Sequence, residues 1–243
     1  MSGKLTGKIA IVTGASAGIG KASALALAAE GATLLITSRR EERLKALASE
    51  IEAMNTKAYI VAGDANDEAT AKKAVETVLN VAGRIDILIN NAGVGIYKNL
   101  VDTSVEEYDQ MMNTNMRTTF LFTRYVVPQM LLQRQGTILM LSSMAGLYGF
   151  AGEAVYCATK FAQVGFAQAL DRELRASGIK VGVICPGGVK TEFAIGHGRT
   201  EEGVAQSGML EATDVAAAVL LACTQAPGSR IIEIQVRPMV EAL

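Results

Sequence analysis

The 243 residues include no tryptophan, one histidine, three cysteines and four prolines. His197 and the widely separated Cys157, Cys185 and Cys223, with no CxxC pair, cannot assemble a zinc site of the Cys/His kind, so no metal is expected. So few cysteines also exclude a disulfide framework and point to a reducing, cytoplasmic setting. Pro128, Pro186, Pro227 and Pro238 are scattered, and no repeat, charge block or low-complexity linker divides the chain, so residues 1–243 read as one domain. Charge of one sign is missing as well. Lys plus Arg number 23 against 24 Asp plus Glu, which leaves no basic field for nucleic acid. Charged residues are only 19% of the chain while hydrophobic residues are 50%, and the mean hydropathy is +0.27. A membrane span is nevertheless not expected. The longest uncharged stretch, 135–152, contains Gln135, four glycines and two serines. The opening run MSGKLTGK has neither a long apolar segment nor a cleavage pattern, so no leader is expected. The apolar excess belongs to an interior or to a subunit interface.

Short β-branched or apolar runs recur at 9–13, 33–37, 58–62, 85–89, 137–141, 180–184 and 231–236. Helix-like stretches lie between them, at roughly 18–30, 41–53, 67–82, 105–134, 155–176 and 212–225. Continuous apolar strands alternating with helices predict a doubly wound α/β domain around a seven-stranded parallel sheet. Ligands of such a domain bind at the carboxyl ends of the strands.

The first strand runs into Thr13-Gly14-Ala15-Ser16-Ala17-Gly18-Ile19-Gly20 and then an alanine-rich helix. A glycine-rich strand-to-helix turn brings backbone N–H groups and the positive end of a helix close to a pyrophosphate. The spacing GxxxGxG matches neither GxGxxG nor the Walker pattern, and glycines here also serve simply to pack a tight turn. Gly14 to Gly18 satisfies GxSxG too, which keeps open a serine hydrolase using Ser16 with His197 downstream. Only a dozen residues precede Gly14, too few for the strand and loop that such an oxyanion hole requires. Ser16 reads better as a polar lining residue near phosphate.

A dinucleotide site expects a ribose-binding acid at the end of the next strand. That strand ends Thr37-Ser38-Arg39-Arg40, with no acid before Glu41. A hydroxyl and a guanidinium hold a 2′-phosphate that a carboxylate would repel, so the pattern favours NADP(H) over NAD(H). The alternative is that Arg39 and Arg40 are a solvated helix start.

Tyr156 and Lys160 stand four apart at the head of a helix and share a face. An ammonium beside a phenol favours the phenolate and should pull the Tyr156 pKa down toward neutrality, as a general acid/base requires. Ser143, at the end of the fifth predicted strand, has a hydroxyl suited to holding a carbonyl oxygen near that phenol.

With these residues the chain resembles the short-chain dehydrogenase/reductase family from about residue 7 to 236. TGxxxGIG is Thr13 to Gly20, NNAG is Asn90 to Gly93 and YxxxK is Tyr156 to Lys160. The PG element is Pro186-Gly187 followed by Thr191, the Asp after the third strand is Asp64, and the asparagine of the long helix is Asn115. The resemblance implies a Rossmann-like fold with a cofactor half over about 1–100 and a catalytic and substrate half over about 101–243. It implies a tetrad of Asn115, Ser143, Tyr156 and Lys160. Tyr156 would protonate a substrate carbonyl oxygen that Ser143 polarises while the nicotinamide delivers hydride to the carbon. Lys160 would hold the nicotinamide ribose, and Asn115 would bind a water linking Lys160 to solvent, unless Asn115 only kinks or braces its helix. Gly14, Ser16, Gly18, Ile19 and Gly20 would take the phosphates, with Ser38 and Arg39 beneath the adenosine end. Asp64 and Ala65 would hold adenine, and Asn91, Ala92 and Gly93 the ribose side. Pro186, Gly187, Val189 and Thr191 would clasp the nicotinamide end, Thr191 being equally suited to cap a helix.

Two features depart from relatives. Ala17 stands where many NADP-dependent members carry a basic residue, and the final segment reads Ile234-Gln235-Val236-Arg237-Pro238-Met239 where many relatives have a DGG-like one, which weakens a role as a 3-ketoacyl reductase of fatty-acid synthesis. Residues 190–210 read as a glycine-rich lid over a pocket lined by Val94, Gly95, Tyr97, Met144, Ala145 and Phe150, with His197 a solvated side chain. The expected partner is a small carbonyl or alcohol compound, and a cofactor-binding regulator without catalysis remains the alternative. Relatives pair the helices at 105–134 and 155–176 across subunits. The apolar excess there, Phe120, Leu121, Phe122, Val126, Val127, Phe161, Val164, Phe166 and Leu170, therefore predicts a homodimer or homotetramer.

Overall fold

The first strand, β1 (Ile9–Thr13), shows how the sheet separates two layers. Ile9 and Ile11 point into one apolar core and Ala10 and Val12 into the other, so every residue of the strand is buried. The remaining strands are β2 (Thr33–Ser38), β3 (Ala58–Ala62), β4 (Ile87–Asn90), β5 (Gly136–Leu141), β6 (Ile179–Pro186) and β7 (Glu233–Val236). They form one parallel sheet in the order β3-β2-β1-β4-β5-β6-β7. The doubly wound Rossmann-like α/β domain with seven parallel strands is therefore as expected. The computed structural model describes residues 3–240; Met1 and Ser2 of the opening run, and residues 241–243 of the assigned domain, lie outside the described residues.

Helices α1 (Gly18–Ala29) and α2 (Glu41–Glu52) cover one face, and α3 (Glu68–Ala82) covers the other. The second half continues with α4 (Val105–Met112), α5 (Thr118–Gln133), α6 (Ala154–Leu174), α7 (Glu201–Ala205) and α8 (Ala212–Cys223). Of these, α8 joins α1 and α2, while α5 and α6 pack beside α3. Strand order reverses between β1 and β4, and the ligand crevice of a doubly wound sheet opens at that switch point. Among the described residues no helix is long and apolar enough to cross a membrane.

Three sequence expectations shift. β4 starts at Ile87 rather than Ile85, because the Asp86 carboxylate takes the Ile9 N–H (3.0 Å) together with Arg84 and Lys8 at the sheet's lower edge. The helix expected over 105–134 is interrupted by a wide π turn at Asn113–Arg117, the kind of single-turn bulge that recurs at functional sites. The apolar residues of α5 and α6 mostly serve the monomer. Leu121, Phe122, Val126, Val164 and Leu170 are buried in the core and Val127 and Phe166 pack against it, so only Phe120 and Phe161 remain 44% and 46% exposed.

Candidate active site

The carboxyl ends of β1 and β4 are stitched together by side chains. Thr13 Oγ1 accepts from the N–H groups of Asn91 (2.9 Å) and Ala92 (3.0 Å), while Asn91 Nδ2 donates to the carbonyls of Thr13 (2.9 Å) and Gly14 (3.2 Å). Asn91 thus braces the glycine turn as well as lining the cleft. Gly14 has φ +64°, and a Cβ there would stand 2.8 Å from Ala92 Cα, so the turn admits no other residue without strain. No side chain caps the start of α1. A bare helix N-terminus over a close-packed glycine turn fits the pyrophosphate of a dinucleotide.

Beyond the glycine turn, Ser38 and Arg39 line the cleft together with Asp64 and Ala65. The more constrained arginine is its neighbour. Arg40 donates through Nε (3.0 Å) and Nη2 (2.9 Å) to Ser16 Oγ, and through Nη1 (2.6 Å) to Glu192, which also pairs with Arg43. Ser16 is therefore held by a guanidinium, while the His197 carbonyl accepts the Tyr97 N–H (3.0 Å). Both arginines hold the Glu192 carboxyl below its ordinary range. Glu192 belongs to a run that touches three parts of the site. Thr191 lies against Gly18, and Phe193 packs on Tyr156 with ring centroids 5.8 Å apart.

The other end of the cleft is built where β5 passes into α6. Ser143 follows the strand and accepts the Ala145 N–H (3.1 Å) in a short 3₁₀ turn. Gly146 lets that turn lie on the helix, for a Cβ there would meet Lys160 O at 2.8 Å, and Ser142 Oγ donates to the same carbonyl (3.0 Å). Tyr156 and Lys160, both buried, occupy the first turns of α6. Tyr97 meets Tyr156 edge-on, with centroids 5.4 Å apart.

Lys160 Nζ donates to Leu141 O (2.8 Å) and Gln163 Oε1 (2.9 Å), leaving one proton for the cavity that it lines. Gln163 in turn donates to Asn115 O (3.0 Å) and Thr119 Oγ1 (2.9 Å). Asn115 sits in the π turn, wholly buried. Its Oδ1 accepts the Val94 N–H (2.7 Å), and its Nδ2 donates to Val94 O and Thr159 Oγ1, each at 2.9 Å. Thr159 donates onward to Tyr156 O (2.8 Å), and Thr119 Oγ1 donates to Asn115 O (2.8 Å). The main-chain carbonyl of Asn115 thus accepts from the side chains of both Gln163 and Thr119.

Burial governs both titrating groups. It pulls the Lys160 ammonium down to about 7. It also pushes the Tyr156 phenol well above its ordinary value, with Tyr97 acting the same way and the Ser143 hydroxyl opposing. The expectation that Lys160 lowers Tyr156 is not met in the protein alone, because desolvation of the phenolate outweighs the groups that oppose it. A protonated phenol is the form a proton donor needs. The unfolded Lys160 titrates near ~10.4. Between pH 7 and 10 the unfolded chain therefore holds a proton the folded chain has released, so this lysine's penalty on folding is full below pH 7 and fades as pH rises. In urea unfolding from pH 6.5 to 9.5, the wild type should gain stability relative to Lys160→Met; parallel curves would contradict the shift.

One cavity of about 590 Å³ joins the two ends. It is lined by Gly14, Ser16, Gly18, Ile19, Ser38, Arg39, Asp64, Ala65, Asn91, Ala92, Gly93, Ser143, Tyr156, Lys160, Pro186, Gly187, Val189 and Thr191, and by all six predicted pocket residues. Gly20 and Asn115 lie behind the wall. Sequence reasoning missed Arg40, Glu153, Gln163, Glu192 and Arg199. Only Arg40 carried a signal, as the second half of an Arg-Arg pair whose facing member a strand end does not reveal. The segment 190–210 is more ordered than a glycine-rich lid suggests, since it contains α7 and backbone bridges between Val189 and Leu210 and between Ile195 and Arg199.

Comparison with known proteins agrees with this geometry. The chain matches the short chain dehydrogenase family model over residues 8–202. An uncharacterised oxidoreductase of Staphylococcus epidermidis is 35% identical over 236 residues, 97% of this chain and 99% of the relative. A 3-oxoacyl-[acyl-carrier-protein] reductase of Thermotoga maritima is 37% identical over 188 residues, 77% of this chain and 76% of the relative. Among solved structures, a metagenomic short-chain oxidoreductase in complex with NADP superposes with a TM-score of 0.85 at 33% identity, covering 98% of this chain and all of the other. An alcohol dehydrogenase of Thermococcus sibiricus complexed with 5-hydroxy-NADP gives 0.88 at 26% identity over 97% and 98% of the two chains. The chain is therefore an oxidoreductase of the short-chain dehydrogenase family.

Proposed function

We propose that the protein interconverts a ketone or aldehyde and the corresponding alcohol with NADP(H), in preference to NAD(H), as hydride carrier. The observation that carries this reading is a single cleft with Ser143, Tyr156 and Lys160 at one end and Ser38, Arg39 and Arg40 at the other. The dinucleotide supplies or accepts the hydride. Ser143 Oγ holds the carbonyl oxygen, and Tyr156, protonated because it is buried, gives that oxygen its proton as the carbon gains hydride; oxidation runs the same steps backwards. Lys160, fixed from behind by Leu141 O and Gln163, turns its remaining proton to the ribose side. Asn115 positions α6 through Thr159 and the Val94 loop through its amide. Phe193, Tyr97 and Ile96 shield the reacting end from water. The complete Ser143, Tyr156 and Lys160 set speaks against a purely regulatory role, which has no use for a proton donor. Outward-facing Phe120 and Phe161 support assembly of the chain as a homo-oligomer through α5 and α6.

The test of cofactor choice is direct. Binding of NADPH and NADH to the wild type and to Arg39→Asp should show NADPH tighter in the wild type and weakened about 10- to 100-fold in the variant, the scale of a lost charge-assisted contact, with NADH little changed. Equal preference in both proteins would sink the assignment. NADPH oxidation with a panel of ketones and aldehydes, run beside fluorophosphonate labelling of Ser16, separates the reductase from the regulator and the hydrolase.

A further inference from the structure

Around Tyr156 the cavity has walls from Ile96, Tyr97, Ala145, Phe150 and Phe193, and Glu153, His197 and Arg199 line it as well. Arg199 Cζ lies 5.6 Å from the centre of the Tyr97 ring, and that ring is the one set edge-on to Tyr156. The placement is fixed by the backbone. Arg199 N donates to Ala194 O (3.0 Å), Gly196 N to Arg199 O (3.0 Å) and Tyr97 N to His197 O (3.0 Å), so the turn carrying Arg199 is tied both to itself and to the pocket wall.

Four arginines of the fold have carboxylate partners: Arg40 and Arg43 with Glu192, Arg84 with Asp86 and Arg230 with Asp171. Arg199 has no carboxylate within 4 Å among the described residues, and its one side-chain hydrogen bond is a long 3.5 Å contact to Val189 O. Its charge is nevertheless felt across the pocket, where burial raises the phenols of Tyr97 and Tyr156 and the carboxyl of Glu153 and Arg199 opposes that rise without reversing it. Glu153, at the head of α6, lines the same cavity and feels the Arg199 charge without pairing with it. An anionic group entering this end of the cleft is drawn to the Arg199 guanidinium, which has unused donors.

We infer that Arg199 is a substrate-binding residue and that the carbonyl compound this enzyme takes carries an anionic group, a carboxylate in the first instance, several bonds from the reacting carbon. The inference rests on the reductase reading above and adds the charge of the substrate to it. The two centroid distances place the guanidinium carbon no more than about 11 Å from the Tyr156 ring, a span suited to a chain of a few carbons between the carbonyl and the acid.

The experiment measures kcat/KM with NADPH for a series of straight-chain oxo acids, their methyl esters and an oxoalkyl phosphate, using the wild type and Arg199→Met. At the best chain length the wild type should prefer the acid to its ester by about tenfold or more. Arg199→Met should lose about 10- to 100-fold on the acid, mainly through KM, and leave the ester unchanged. A phosphate preferred over every acid would assign the subsite to a phosphoryl group and overturn the carboxylate. Esters used as well as acids by the wild type, or acid and ester impaired alike in the variant, would overturn the inference. The second measurement is calorimetric binding of the corresponding hydroxy acids and hydroxy esters to the wild type and Arg199→Met saturated with NADP. A tenfold preference for the acid that vanishes in the variant supports the subsite even where turnover is absent, whereas absent turnover with every carbonyl is a failure of the reductase reading.

Discussion

Tyr156→Phe is expected to cut NADPH-dependent carbonyl reduction by about 100- to 10,000-fold, the usual scale for removing a positioned proton donor. The substitution deletes one oxygen. Its ring contacts with Tyr97 and Phe193 are kept, so fold, melting temperature and NADPH affinity should stay close to wild type. Three measurements on one preparation are enough: steady-state turnover, fluorescence titration of NADPH and thermal unfolding. Loss of turnover together with loss of cofactor binding would point to a structural role, and near-normal turnover would remove Tyr156 from the mechanism. Because the phenol is pushed well above its ordinary value in the protein alone, reduction should not be lost on the alkaline side until the pH is far above neutral.

Asn115→Leu should produce the largest loss of stability of any change in the site. The side chain is fully buried and makes three hydrogen bonds, two to the Val94 backbone and one to Thr159. Leucine is similar in size but leaves the Val94 N–H without its acceptor and Thr159 Oγ1 without its donor. Unpaired buried groups of this kind cost ~1–3 kcal/mol each, so a loss of about 3 kcal/mol or more is expected. For a chain of this length that lowers the melting temperature by roughly 6–12 °C. Calorimetry checks the number, and a drop under a degree would show that the π turn holds its shape without the amide.

The sheet was legible because each strand is an unbroken apolar run, and burial on both faces leaves that mark directly in the sequence. The motif residues were legible for a different reason. Glycines at a strand-to-helix turn and a Tyr/Lys pair on one helical turn are local patterns, and the folded chain places them where local rules predict. The π turn was not legible, since one extra residue in a helical turn leaves the apolar period of 105–134 almost undisturbed. Gln163, Glu153 and Arg199 were missed because their significance lies only in what stands opposite them: an Asn115 carbonyl 48 positions away, a shared pocket wall, a Tyr97 ring. The share of the apolar residues of α5 and α6 that serves the monomer core was hidden for a related reason. An apolar helix facing its own sheet and one facing a neighbour look the same until the sheet is in place.

The run Thr191-Glu192-Phe193 ties neighbouring tasks together more tightly than its length suggests. Its three residues reach, in turn, the glycine turn, the Arg40–Arg43 pair and the Tyr156 ring. In engineering terms the two specificities are not separable at this tripeptide, because a substitution made to reshape the substrate pocket also displaces the contacts at the adenosine end. Under the proposed function, independent tuning would work at Ser38 and Arg39 for the nucleotide and at Phe150 and Arg199 for the carbonyl compound.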